Sequence, residues 1–219
     1  MVLYIVLVIL ISALGLLLRT PWFKGWFGEL QVNFATRMLL PGDEYKLIRD
    51  VTLPAGDGTT QIDHIVLSRY GVFVIETKNW SGRICGREKE PRWTQMCGRQ
   101  SYRQQNPLRQ NFKHTRTLTE LLELPVDCIH SVICFVGEAK LAKSMPPNVT
   151  VRSGCVDHIR SFKEPVLTEA QVQTAVQRIE VARLARGMQT NRRHVRHVRS
   201  LIDSDRPGRP PAAPPADSC

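Results

Sequence analysis

Gln61-Ile62-Asp63-His64-Ile65-Val66, then Gly71-Val72-Phe73-Val74-Ile75-Glu76-Thr77-Lys78 after a short connection, is the stretch on which the fold turns. Residues 72–75 are apolar at every position, as in a central strand covered on both faces, so helices should flank the sheet that contains it. Residues 61–68 and 71–78 read as a hairpin. With Arg69 and Tyr70 as a two-residue loop, Ser68 opposes Gly71, and counting along the ladder brings Asp63 opposite Glu76, their Cβ atoms about 4.5 to 5.5 Å apart. Residues two apart on a strand share a face, which puts Lys78 with Glu76 and Gln61 with Asp63, and turns His64 away as a packing or hydrogen-bonding residue.

Two carboxylates this close in an apolar sheet repel each other and lose hydration unless a cation neutralises them. Their hard oxygens suit Mg²⁺ or Mn²⁺, with Asp63 and Glu76 as the metal ligands. Such an ion lowers the pKa of a bound water and stabilises charge growing on a phosphodiester, and Lys78 is placed to assist. The bland alternative is an exposed acidic pair with a salt-bridging lysine.

Outward from this hairpin, Phe27, Leu30, Phe34 and Met38 recur at helical spacing over 25–40 and predict a helix packed through that face, ended by Pro41-Gly42. A strand is expected over 45–53, followed by a turn at 54–58. The turn-rich stretch 79–95 predicts one or two short strands, around 83–85 and at Trp93. Asn106-Pro107 opens a helix with Leu108, Phe112, Leu118, Leu121 and Leu122 on its apolar side, where Gln110 and His114, four apart, share a face. Residues 128–136 and 149–151 read as further strands, and Thr168 with Gln171 has the spacing of a capping box before another helix. The fold class is therefore α/β, a mixed sheet flanked by helices.

The chain has 219 residues with 42% hydrophobic and 23% charged residues, which excludes a wholly disordered or fibrous protein. Thirty Lys and Arg against twenty Asp and Glu give a net charge of +10 and argue for an anionic partner. The six cysteines include no Cys-x-x-Cys pair, so they read as reduced thiols rather than a zinc site. Residues 2–18 carry no charge and, as a helix, span roughly 26 Å, enough for a minimal transmembrane anchor. A cleaved signal peptide fits less well, because no basic segment precedes the run and no small-residue cleavage site follows it. Arg19, Lys24 and Arg37 follow the span, so the positive-inside rule puts the body in the cytoplasm, and the expectation is a single-pass membrane protein, of the bacterial inner membrane.

Three parts are expected: an anchor over 1–20, a globular domain over 21–182, and a basic, Pro-rich, disordered tail over 183–219. The tail's Arg192, Arg193, Arg196 and Arg199 are candidate nucleic-acid contacts, with anionic lipid or a plain solvated tail as the other readings.

Taken together, Gly28-Glu29-x-x-Val32, Gln61-Ile-Asp63-His64, Gly71 through Asn79, Gly82, and Asn106-Pro107-Leu108-x-Gln110 with His114 resemble the nuclease-related domain (NERD) family over roughly residues 25–140. The resemblance implies a restriction-endonuclease-like fold of the D…ExK type, with a central mixed sheet between helices and a metal-dependent phosphodiesterase site. It makes Asp63 and Glu76 the metal carboxylates, Lys78 the catalytic lysine and Glu29 an acidic residue supplied by the first helix of the domain, with Gln61 assisting. The function expected is a membrane-anchored, Mg²⁺-dependent nuclease acting on DNA or RNA. The alternative is a noncatalytic nucleic-acid-binding module or scaffold tethered to the membrane.

Overall fold

A computed structural model describes residues 1–56 and 58–185, without the side chains of 2–3, 13–14, 17–19 and 21–27. Two helices, α1 (Val2–Arg19) and α2 (Pro21–Leu39), precede strands β1 (Lys46–Ala55), β2 (Gly58–Ser68) and β3 (Gly71–Lys78). Then come β4 (Gly82–Cys85), β5 (Arg92–Cys97), β6 (Gln100–Gln105), α3 (Pro107–Leu122), β7 (Ile129–Phe135), β8 (Ala139–Leu141), β9 (Val149–Val151), α4 (Gly154–Arg160) and α5 (Glu169–Ala182). Among the described residues no helix is long and apolar enough to cross a membrane. A helix does form over the run where the anchor is expected. The arginines proposed to touch nucleic acid, Arg192, Arg193, Arg196 and Arg199, lie outside the described residues.

The central sheet has the order β1-β2-β3-β7-β9, antiparallel from β1 to β3 and parallel from β3 to β9. Val72, Phe73, Val74 and Ile75 are all fully buried, as a strand covered on both faces requires. On one side Leu118 and Leu122 of α3 and Val172, Ala175 and Ile179 of α5 cover Ile65, Leu67 and Val74. On the other, Val32 of α2 and Cys155, Val156 and Ile159 of α4 cover Val66, Phe73 and Ile75. The Thr168–Gln171 capping box starts α5, and Asn106 caps α3 by accepting from the Leu108 amide at 2.9 Å.

Helix α2 does not pack through the face its large side chains suggest. Leu30, Phe34 and Met38 are 44%, 66% and 67% exposed, while Val32, Thr36 and Gly28 face the sheet. Small residues win here because they allow a closer approach: a Cβ on Gly28 would fall 2.4 Å from Val136 Cγ2. Phe112 of α3 is likewise 64% exposed rather than in the core. Residue 54 is not in a turn, since β1 continues through Pro54↔Thr59 to Ala55↔Gly58.

A second sheet, order β6-β5-β4-β8, stands beside the first. Its inner face buries Ile84 and Trp93 against Ile133, Phe135 and Val149 of the central sheet. The reading of 79–95 anticipates β4 and part of β5; β6, β8 and helix α4 go beyond it. Strands β5 and β6 turn at Gly98, whose φ of 59° is left-handed and whose surroundings are open.

Candidate active site

The β2–β3 hairpin closes on the expected two-residue loop, with pairs running from Ser68↔Gly71 to His64↔Ile75. The next pair in that register is Asp63 with Glu76, but there the ladder stops. In its place the Asp63 carboxylate takes the Thr77 amide, Oδ2 accepting at 2.9 Å. This hydrogen bond ties the two strands together at the point where their acidic residues meet.

Glu76 is buried, and each of its oxygens has a close neighbour. Oε1 lies 2.6 Å from Lys78 Nζ and accepts from Gln110 Nε2 at 2.8 Å. Lys78 also donates to Gln110 Oε1 at 2.9 Å, so the three side chains close a triangle. His114 Nε2 stands 3.2 Å from Oε2, somewhat off hydrogen-bond direction, and its Nδ1 is 2.6 Å from the Thr60 hydroxyl. A hydroxyl donating to Nδ1 leaves the ring proton on Nε2, facing the carboxylate. Helix α3 presents Gln110 and His114 because Asn111, fully buried between them, donates to the Val74 carbonyl at 2.8 Å and to Ser131 Oγ at 2.9 Å. One helix is thereby fixed across β3 and β7.

The electrostatics follow from this wiring. Burial alone would raise the pKa of Glu76, but His114 and Lys78 outweigh it and hold the group below its ordinary value, as a carboxylate. Asp63 behaves oppositely. Burial first, and then the neighbouring Glu76 charge, push it up to about 8 against the help of the Thr77 amide. Glu29, on α2, is raised by burial, by Asp50 and by Glu76. Glu29 and Asp63 both feel the Glu76 charge, and Asp63 feels Lys78 as well. His64 is buried on the other side, its Nε2 2.9 Å from Asn33 Oδ1, and burial lowers its pKa to about 4. It is a packing residue.

Gln61 is the exception. Strict alternation places it beside Asp63, yet Ile62 and Ile65, three apart, both belong to the core beneath α3 and α5. The pairing of β1 with β2 skips Asp50 and Asp63, and Asp50 has a left-handed φ of 49°. One step of alternation is lost there. Gln61 therefore pairs with Thr52 on the opposite face from Ile62 and is exposed.

Comparison with known proteins agrees with the geometry. A family model described as "Nuclease-related domain" matches residues 24–136. The chain belongs to the nuclease-related domain family. An uncharacterized protein of Bacillus anthracis is 38% identical over 160 residues, covering 71% of this chain and 74% of the relative. No solved structure matches it significantly. The matched span of this nuclease-related domain runs from the start of α2 to Val136, so it encloses Glu29, Asp63, Glu76, Lys78, Gln110 and His114.

The sequence puts Gln110 and His114 on one face of a helix without assigning them a role; in the nuclease-related domain both face Glu76. Their four-residue spacing, on a helix that begins at a capping Asn-Pro, is the signal that finds them. Thr60 carries no such signal, because its contact with His114 spans 54 positions. Among the described residues no three His, Cys, Asp or Glu side chains are grouped closely enough to form a metal cage. Asp63 and Glu76 offer two hard-oxygen carboxylates, meeting where the β2–β3 ladder ends, which is the donor type that Mg²⁺ accepts. Mg²⁺ is commonly held by one or two carboxylates while keeping several waters.

Proposed function

We propose that this nuclease-related domain is a metal-dependent nuclease with a restriction-endonuclease-like core that cleaves phosphodiester bonds of DNA, tethered to the membrane with its body in the cytoplasm. The observation that carries the reading is the buried Glu76 carboxylate, 2.6 Å from the Lys78 ammonium and beside a strained Asp63. Mg²⁺ or Mn²⁺, held by Asp63 and Glu76 with Glu29 near, would supply a water of lowered pKa and stabilise charge developing on the phosphate.

The protein's own groups do the rest. Gln110 accepts from Lys78 and keeps the ammonium beside Glu76, from where it would offset charge growing on a phosphate oxygen, and His114 faces the second oxygen of Glu76. The tether is supported by the uncharged run over 2–18 and by the exposed Leu30, Phe34 and Met38, which extend apolar surface along α2.

The test is cleavage by the purified full chain of single-stranded DNA, duplex DNA and RNA, with Mg²⁺, Mn²⁺ or chelator. Metal-dependent cleavage should fall by at least about a hundredfold in Lys78→Met and Glu76→Gln, the scale of one lost transition-state stabiliser. Cleavage that persists in chelator or in both variants refutes the reading, and cleavage of RNA alone reassigns its substrate. A reporter at the C-terminus should be active only in the cytoplasm.

A further inference from the structure

The second sheet has an outer face that the site does not use. Residues on adjacent strands that pair directly share a face, and Ile84 and Trp93 mark the inner one. Arg83, paired with Met96 and with Lys140, therefore points outward, as do Arg92 and Arg103, the latter paired with Thr94. Between these cations the face carries Thr94, Ser101, Gln105, Met96 and Cys85, and no carboxylate. All four cations are exposed, and among the described residues none of them has an acidic partner at ion-pair distance. Arg103 donates to Thr94 Oγ1 at 3.1 Å.

Arg83 and Lys140 sit directly opposite each other, an arrangement of like charges that costs stability in a sheet. An anion sharing the face would offset that cost. With strands about 4.8 Å apart, β8 and β6 are separated by roughly 14 Å. That is close to the width of a B-DNA major groove, about 12 Å.

The face is also held rigidly to the chemistry. Strand β3, which carries Glu76 and Lys78, runs through three residues into β4. Fully buried Asn106 caps α3, the helix of Gln110 and His114, while its Nδ2 donates to the Glu88 and Glu90 carbonyls at 2.8 and 2.7 Å in the β4–β5 loop.

We propose that the outer face of the second sheet, through Arg83, Arg92, Arg103 and Lys140, grips the phosphate backbone of duplex DNA and presents it to the site. The inference rests on the nuclease reading above and deepens it. The test measures binding of the full chain to a fluorescein-labelled DNA duplex by anisotropy in chelator, as salt is varied. One variant carries Arg83→Gln, Arg92→Gln, Arg103→Gln and Lys140→Gln. A control loses the same charge at exposed positions elsewhere, through Arg69→Gln, Arg152→Gln, Arg160→Gln and Lys163→Gln.

Each phosphate contact contributes about 0.9 to the slope of log affinity against log salt, so the face variant should be shallower by about 3 to 4. Between 200 and 50 mM salt the wild type should then gain about a hundredfold more affinity than the variant. The control should keep the wild-type slope, and melting curves should confirm that both variants fold. A face variant with an unchanged slope, or a control that loses as much, overturns the proposal while leaving metal-dependent cleavage and its loss in Lys78→Met as separate facts. Loss of binding to anionic vesicles with DNA binding intact also overturns it and assigns the face to lipid. A wild type that binds no DNA at any salt overturns this proposal, while the nuclease reading stands or falls on the metal-dependent cleavage assay.

Discussion

Replacing Asp63 by Asn should stabilise the protein at high pH. The carboxyl is pushed from an ordinary 3.8 up to about 8, first by burial and then by Glu76. The folded protein therefore holds the Asp63 proton more tightly than the unfolded chain, and stability falls as pH rises from about 4 to about 8, levelling off above that. Four decades of proton affinity at ~1.4 kcal/mol each set an upper bound of about 5 to 6 kcal/mol. Relaxation and water entry on ionisation reduce the realised cost, and about 2 to 3 kcal/mol is the expected effect. The carboxamide of Asp63→Asn has nearly the same shape and can still accept from the Thr77 amide, so it removes the charge with little else changed. In chelator, melting of Asp63→Asn against wild type should show a gain of that size near about pH 9 and almost none near about pH 4. Mg²⁺ or Mn²⁺ should stabilise the wild type at the higher pH and leave the variant unmoved. A difference between the two proteins that is the same at both pH values, or a variant that is less stable than wild type at the higher pH, refutes the electrostatic account of Asp63.

Removing the Asn106 side chain should cost about 1 to 3 kcal/mol, since Asn106→Ala loses a helix cap and the donor to the Glu88 and Glu90 carbonyls, read as a lower urea midpoint with the m-value kept. Gly28→Ala should cost about 1 to 3 kcal/mol by driving α2 off Val136, and should lower cleavage because Glu29 moves with it; unaltered melting would refute the close approach. His114→Ala should lower kcat about tenfold or more with KM little changed, since it frees one oxygen of Glu76. Partial rescue by His114→Gln would mark it as a positioning residue, and a pure KM effect would count against that role.

The hairpin and its acidic pair are legible because the run over 72–75 has no polar position and the loop length fixes parity. Convergence of Glu76 with Lys78 needs only the strand period. What the sequence conceals has physical causes. Gln61 is misplaced by alternation because a left-handed Asp50, which no glycine advertises, absorbs one step. The wrong face of α2 is suggested by Leu30, Phe34 and Met38 because size signals burial, whereas contact here is set by how closely Gly28 and Thr36 let the helix approach. Strand β6 reads QSYRQQ and shows no hydrophobic period, since most of its side chains are in water and its pairing rests on the backbone ladder. Asp63 and Glu76 look equivalent as letters; His114 of α3, more than thirty residues away, and Lys78 hold Glu76 as a firm carboxylate, while Asp63 is raised by burial against little more than the Thr77 amide.

The open turn at Gly98 has a consequence for how such a protein can change over time. It caps a hairpin whose tip touches nothing a Cβ would meet, at the far end of the β5–β6 ladder from the Asn106 junction. Extra residues inserted there need not disturb either the central sheet or α3, and each doubling of a loop's length adds only about 0.6 kcal/mol of closure entropy. Descendants of this sequence are thus free to lengthen or recharge the tip while the Glu76 triangle stays fixed, so that reach and chemistry vary as separate inheritances.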